Sequence, residues 1–128
     1  MINVTAGIML NNGRVFAAKR KAGKHLEGFW EFPGGKIEEG ETPETCLARE
    51  LKEELGIKVT VGKIFSENTH DYGSKLVKLI AYRVTIDGGE IQLTDHDEFR
   101  WLDPSELMSV QWAPADIPFV DKLRDEIT

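Results

Sequence analysis

Three glutamates, Glu50, Glu53 and Glu54, lie inside a run of good helix formers from Glu44 to Leu55. On a helix turning by about 100° per residue they stand at about 0°, 300° and 40°, so they share one face. Leu47, Leu51, Leu55 and Ala48 form a separate apolar face roughly 120° away. Such a helix can bury its leucines and still hold three carboxylates to one side. Like charges at this spacing repel each other. A hard cation such as Mg²⁺ relieves that repulsion, because it takes oxygen ligands and commonly bridges carboxylates to substrate phosphates. For the helix taken alone, a solvated acidic face balanced by Arg49 and Lys52 is the competing reading.

The surrounding residues decide between the two. Gly35 is followed after five residues by Glu41, and after seven more by Arg49-Glu50-Leu51-Lys52-Glu53-Glu54-Leu55-Gly56-Ile57. This resembles the Nudix box, G-x5-E-x7-R-E-U-x-E-E-x-G-U with U aliphatic, and every fixed position from 35 to 57 is matched. The resemblance implies that the Gly34 carbonyl and the carboxylates of Glu50, Glu53 and Glu54 hold Mg²⁺, with Mn²⁺ able to substitute. Arg49 would orient the acids by charge-assisted hydrogen bonds. Glu41 would tie the loop to the helix, and Lys36 could reach a phosphate oxygen. The implied reaction is attack of water on a phosphorus, with a basic side chain accepting the proton.

The flanking residues Trp30-Glu31-Phe32-Pro33-Gly34-Gly35-Lys36-Ile37-Glu38 are similar to the MutT branch, whose members hydrolyse nucleoside triphosphates. So are Ala18-Lys19-Arg20 and the following His25. The likeness implies that Arg20 and His25 contact the nucleotide; a surface Arg at a strand end and a loop His are the plain alternatives. Ala113-Pro114-Ala115-Asp116-Ile117-Pro118 is similar to a segment of bacterial CTP pyrophosphohydrolases. MutT proteins place an Asn where Asp116 stands. An ionised Asp only accepts hydrogen bonds. It could take the N4 amine of cytosine or the N1–H and N2 amine of a guanine-type base. It could also cap the last helix.

For the general base the likeness points to a Glu before the strand that ends in Trp101. Asp95 matches best by distance to Trp101, with Glu98 and Glu53 as alternatives. His96 reads as a loop residue. Lys75 stands where a phosphate-contacting Arg is sometimes found, although a solvated strand Lys would look the same.

These groups need a frame. Val4–Leu10 and Arg14–Lys19 read as strands joined by the turn Asn11-Asn12-Gly13. A polar loop runs from Lys21 to Gly28. A short extended piece, Trp30–Phe32, stops at Pro33-Gly34-Gly35. Thr42 is a suitable N-cap for the acidic helix, Pro43 its first residue and Gly56 its C-cap. Further extended segments are expected at Ile57–Phe65, Lys75–Ile86, Glu90–Leu93 and Phe99–Leu102. Asp103-Pro104 opens a short helix, and a last helix covers about 117 to 125. The fold class is α+β, a mixed sheet with one long and one C-terminal helix. The Nudix likeness implies an α/β/α sandwich around that central sheet.

The chain of 128 residues suits one domain, 1–128, since domains commonly hold about 100–150 residues. The net charge of −6 disfavours a nucleic-acid groove or a decapping role, which call for a basic stripe. Cys46 is the only cysteine, which excludes an intrachain disulfide and suits a reducing cytoplasm. The apolar start at Met1–Leu10 lacks the basic region of a signal peptide. No stretch reaches the roughly 20 apolar residues of a membrane helix.

The expected partner is a nucleoside triphosphate, without nucleic acid or membrane, and the expected state is a monomer or weak homodimer. The expected function is hydrolysis to monophosphate and pyrophosphate in pool sanitation. The substrate would be CTP or dCTP, which Asp116 slightly favours, or an oxidised purine such as 8-oxo-dGTP. The alternatives are a hydrolase of other nucleoside diphosphate derivatives, which the short length disfavours, and a non-catalytic nucleotide sensor, which the intact acids disfavour.

Overall fold

The computed structural model describes residues 1–127. Six strands and two α-helices follow in the order β1 (Ile2–Asn11), β2 (Arg14–Arg20), β3 (Trp30–Glu31), α1 (Pro43–Leu55), β4 (Lys58–Asp71), β5 (Leu76–Gly88), β6 (His96–Leu102) and α2 (Ile117–Ile127), with short 3₁₀ turns at Pro104–Ser109 and Pro114–Asp116. β1 lies parallel to β5, from Ile2 opposite Val77 to Met9 opposite Val84. β4 closes that side antiparallel to β5. β2 pairs with β6 along its length and touches β1 only at the hairpin end. The mixed α+β sheet is therefore as expected.

Between the hairpin and their far ends, β1 and β2 diverge, and residues 30–37 fill the fork. Trp30 and Glu31 pair with β2. The chain then crosses to β1, where Gly7 N–H donates to the Pro33 carbonyl at 2.7 Å, Thr5 N–H to Gly35 at 2.8 Å and Ile37 N–H to Asn3 at 2.9 Å. A Cβ at Gly34 would lie 2.0 Å from the Thr5 carbonyl oxygen. The two backbones meet this closely only because residue 34 has no side chain.

The alternation of side chains along the strands makes two cores, one per face. Ala6 and Ile8, Val15 and Ala17, and Val77, Leu79 and Ala81 pack with Phe119, Val120 and Leu123 of α2. Met9, Phe16, Ala18, Ile80, Tyr82 and Val84 pack with Leu47, Leu51 and Leu55 of α1. A helix on each face gives the sandwich. α1 has the expected ends. The Thr42 side chain accepts from Thr45 N–H at 3.1 Å, and Gly56 adopts φ 70° while donating back to the Lys52 carbonyl.

Four expectations change. β4 continues past Phe65 to Asp71, and its second half, Ser66–Asp71, pairs residue by residue with β5. That half is polar and lies partly in solvent, so it carries no apolar signal. Residues 90–93 join no strand. They cross the end of α1, where Gln92 N–H donates to the Leu55 carbonyl at 2.9 Å and Thr94 N–H to that of Glu54 at 3.2 Å. They thereby satisfy carbonyls that the helix leaves open. β6 begins at His96 rather than Phe99, and His96 is a buried strand residue, not a loop residue. The short helix after Asp103 is a 3₁₀ turn.

Candidate active site

α1 turns its leucines into the sheet and its acids toward the Pro33-Gly34-Gly35 corner. A Cβ at Gly35 would come within 2.3 Å of the Glu50 carboxyl carbon, so the carboxyl fills the space a side chain would need. Arg49 organises this corner. It makes a forked pair with Glu41 at 2.7 and 2.9 Å, and its Nη1 donates to Glu50 at 2.9 Å and to Glu53 at 3.2 Å. The Arg49 bonds, helped by the Glu38 backbone N–H, pull the Glu41 carboxyl down to a pKa of about 2. Burial pushes Glu50 up, against the pull of Arg49.

Glu54 differs from its two neighbours. Its Oε2 is buried without a hydrogen-bond partner. Burial raises its pKa to about 9, and the charges of Glu31, Glu50 and Asp95 add to the effect, while a bond from Gly34 N–H opposes it. Asp95 thus stands within electrostatic reach of the acid face, half exposed and paired with Lys24. The other candidate bases are paired as well, Glu98 with Arg100 and Glu53 with Arg49.

On the far side of Glu31 lies a cleft of about 240 Å³, lined among others by Arg20, His25, Glu31, Tyr72, Lys75 and Asp116. Four residues singled out in the sequence, Arg20, His25, Lys75 and Asp116, thus meet in one place. Lys36 does not join them. It is absent from the cleft lining, its backbone bridges to Val4, and its carbonyl accepts from Arg49. Asp116 is 4% exposed. A bond from Phe32 N–H reaches its carboxyl, and Oδ1 is buried without a partner. Among the described residues it makes no bond to the first turn of α2, so it does not act as the helix cap. Burial first, and the Glu31 charge second, hold its pKa well above the ordinary range. The unforeseen half of β4 positions this segment, since Asn68 donates to the Ala115 carbonyl at 2.9 Å.

A NUDIX domain model matches residues 1–123. The chain belongs to the Nudix family. It is 37% identical over 121 residues to the CTP pyrophosphohydrolase of Escherichia coli K12, covering 94% of this chain and 90% of that one. To the 8-oxo-dGTP diphosphatase of the same organism it is 32% identical, covering 96% of each. The solution structure of the Nudix protein MutT from a methicillin-resistant Staphylococcus aureus superposes with a TM-score of 0.79 at 38% identity, covering 98% of this chain and 96% of that one. This chain is accordingly a Nudix hydrolase acting on nucleotides.

Three residues of this Nudix site carried no assignment from the sequence. Glu31 bonds Arg20 through one oxygen and His96 through the other, each at 2.9 Å. Tyr72 packs its ring edge-on against His25 and His70. The available signal for Glu31 was an acid between two buried aromatics, Trp30 and Phe32, just before the glycines. Tyr72 follows the polar half of β4 and His96 starts β6, two places that no apolar alternation marks.

Among the described residues, no three His, Cys, Asp or Glu side chains close into a ready cation cage. Glu50 and Glu53 are drawn to Arg49 instead. The donors nonetheless suit a hard cation: a buried carboxyl oxygen on Glu54 without a partner, two neighbouring carboxylates, and a Gly34 carbonyl at a corner no side chain can enter.

Proposed function

We propose that this protein hydrolyses a nucleoside triphosphate of the cytosine type to its monophosphate and pyrophosphate. The observation that carries the reading is the junction at Glu31, where a cleft holding Arg20 and Asp116 adjoins the carboxylates of α1. A nucleotide laid across that junction puts its base at Asp116 and its phosphates against the acid face. Gly34, Glu50, Glu53 and Glu54 would hold Mg²⁺ or Mn²⁺. When bound, such an ion screens the phosphate charge and lowers the pKa of the attacking water.

The chain's own residues supply the rest. Arg20, His25 and Lys75 offer cationic or donor groups along the cleft. Arg49 keeps Glu50 and Glu53 on one side of the helix. The attacking water loses its proton to Asp95, which must first leave Lys24, as the bond between the phosphorus and the departing phosphate oxygen breaks. Lys36, just after the glycine corner, would reach a phosphate oxygen.

The base preference follows from Asp116. Burial favours the neutral form of this carboxyl, and a neutral carboxyl offers one donor and one acceptor. That pair complements a cytosine edge, with its ring nitrogen acceptor beside an amine donor. A guanine-type edge with two adjacent donors calls for an ionised carboxylate. The 37% identity to a protein named CTP pyrophosphohydrolase points the same way. The relatives named 8-oxo-dGTP diphosphatase support oxidised purines as the second reading.

A hydrolysis panel of CTP, dCTP, 5-methyl-dCTP and 8-oxo-dGTP with product identification decides. The expected result is monophosphate plus pyrophosphate, with the cytosine nucleotides fastest. A faster rate on 8-oxo-dGTP would replace the base assignment, and orthophosphate as first product would contradict the bond assigned.

A further inference from the structure

We propose that His96 is a positioning residue for nucleotide binding, acting through Glu31 to fix the Arg20 guanidinium in the cleft. The inference rests on the reading of the cleft as the nucleotide site. His96 starts β6 opposite Arg20, where the register between β2 and β6 slips. Irregularities of this kind re-aim side chains beside active sites. This one turns the imidazole inward, leaving His96 6% exposed, against Glu31.

A carboxylate only accepts, so the imidazole Nε2–H donates to Glu31 Oε2 at 2.9 Å. The other Glu31 oxygen receives Arg20 Nη1 at 2.9 Å. Arg20 Nε donates to the His25 carbonyl at 2.6 Å. The guanidinium is thereby held at two of its three nitrogens. Nη2 has no partner among the described residues and remains to meet a ligand. Take away His96 and one Glu31 oxygen loses its buried partner, so the carboxylate is free to swing and Arg20 loses its fixed plane. The cost falls on binding, because His96 itself lines neither the cleft nor the acid face.

The test compares His96→Ala, His96→Gln, Arg20→Ala and the double variant His96→Ala/Arg20→Ala. The readouts are kcat, KM, thermal midpoint, and the Kd of cytidine monophosphate measured in chelator. His96→Ala should raise KM and that Kd by about tenfold with kcat within about threefold, the size expected for one hydrogen bond to a charged group. His96→Gln, whose amide can still donate to Glu31, should restore most of the loss. The double variant should bind no worse than Arg20→Ala alone.

Full additivity in the double variant would overturn the relay, as would a fall in kcat with KM unchanged. A lowered thermal midpoint with KM and Kd intact would also overturn it, leaving His96 merely structural. If Arg20→Ala also leaves KM and Kd unchanged, the reading of the cleft itself fails. If Arg20→Ala weakens binding and His96→Ala does not, only this inference fails. Should His96→Ala not fold, His96→Asn, whose shorter side chain stops short of Glu31, takes its place in the cycle.

Discussion

The two ends of the site are built in opposite ways. The acid end comes from one stretch of chain, residues 34 to 54, in which a glycine corner folds back on the next helix and a single arginine gathers four carboxylates around it. The cleft, where we propose the base binds, is assembled from the end of β2, the loop after it, β3, the turn between β4 and β5, and the segment before α2. Glu31 and its neighbours join the two. On the function proposed above, a local motif would fix the chemistry, while dispersed positions would fix which nucleotide receives it. The acid end can then stay constant while the base end varies.

The largest expected effect strikes the local half. Glu53→Gln should lower kcat by about a hundredfold or more, because one oxygen of the cation set becomes a neutral amide. The loss should be the same for every nucleotide of the panel. Unequal losses would mean that the two halves are not separable.

Next comes the dispersed half. Asp116→Ala should change the ranking of bases by about tenfold to a hundredfold in kcat/KM, the worth of a good base-edge contact. The rate on the phosphate chain of the best remaining substrate should change far less. A uniform loss across the panel would make Asp116 a structural group and remove the comparison.

The same contrast explains what could be read from the sequence. The helix, its caps and its acids were legible because Thr42, Pro43, Gly56 and the leucines at 47, 51 and 55 obey rules that act within a few residues. Arg20, His25, Lys75 and Asp116 could be singled out by resemblance, yet nothing in their spacing says that they meet. Their meeting depends on the parallel pairing of β1 with β5 and on the polar half of β4, and long-range pairing leaves no local trace in Ser66–Asp71. The role of His96 depends on a register slip between two strands, which no periodicity announces. Arg49 illustrates the converse, since its bond to Glu53 follows from the i,i+4 spacing on one helix.

The most direct test of the central claim is Mn²⁺ binding, followed by electron paramagnetic resonance as a function of pH, with no nucleotide needed. Burial raises the Glu54 pKa to about 9, and a cation needs the carboxylate. Binding should therefore release a proton and tighten by up to about tenfold per unit between roughly pH 6 and pH 8. In Glu54→Gln the binding should weaken and lose that pH dependence. Tight binding that is equal at both pH values and unchanged in Glu54→Gln would contradict the assignment of the cation to the acid face of α1.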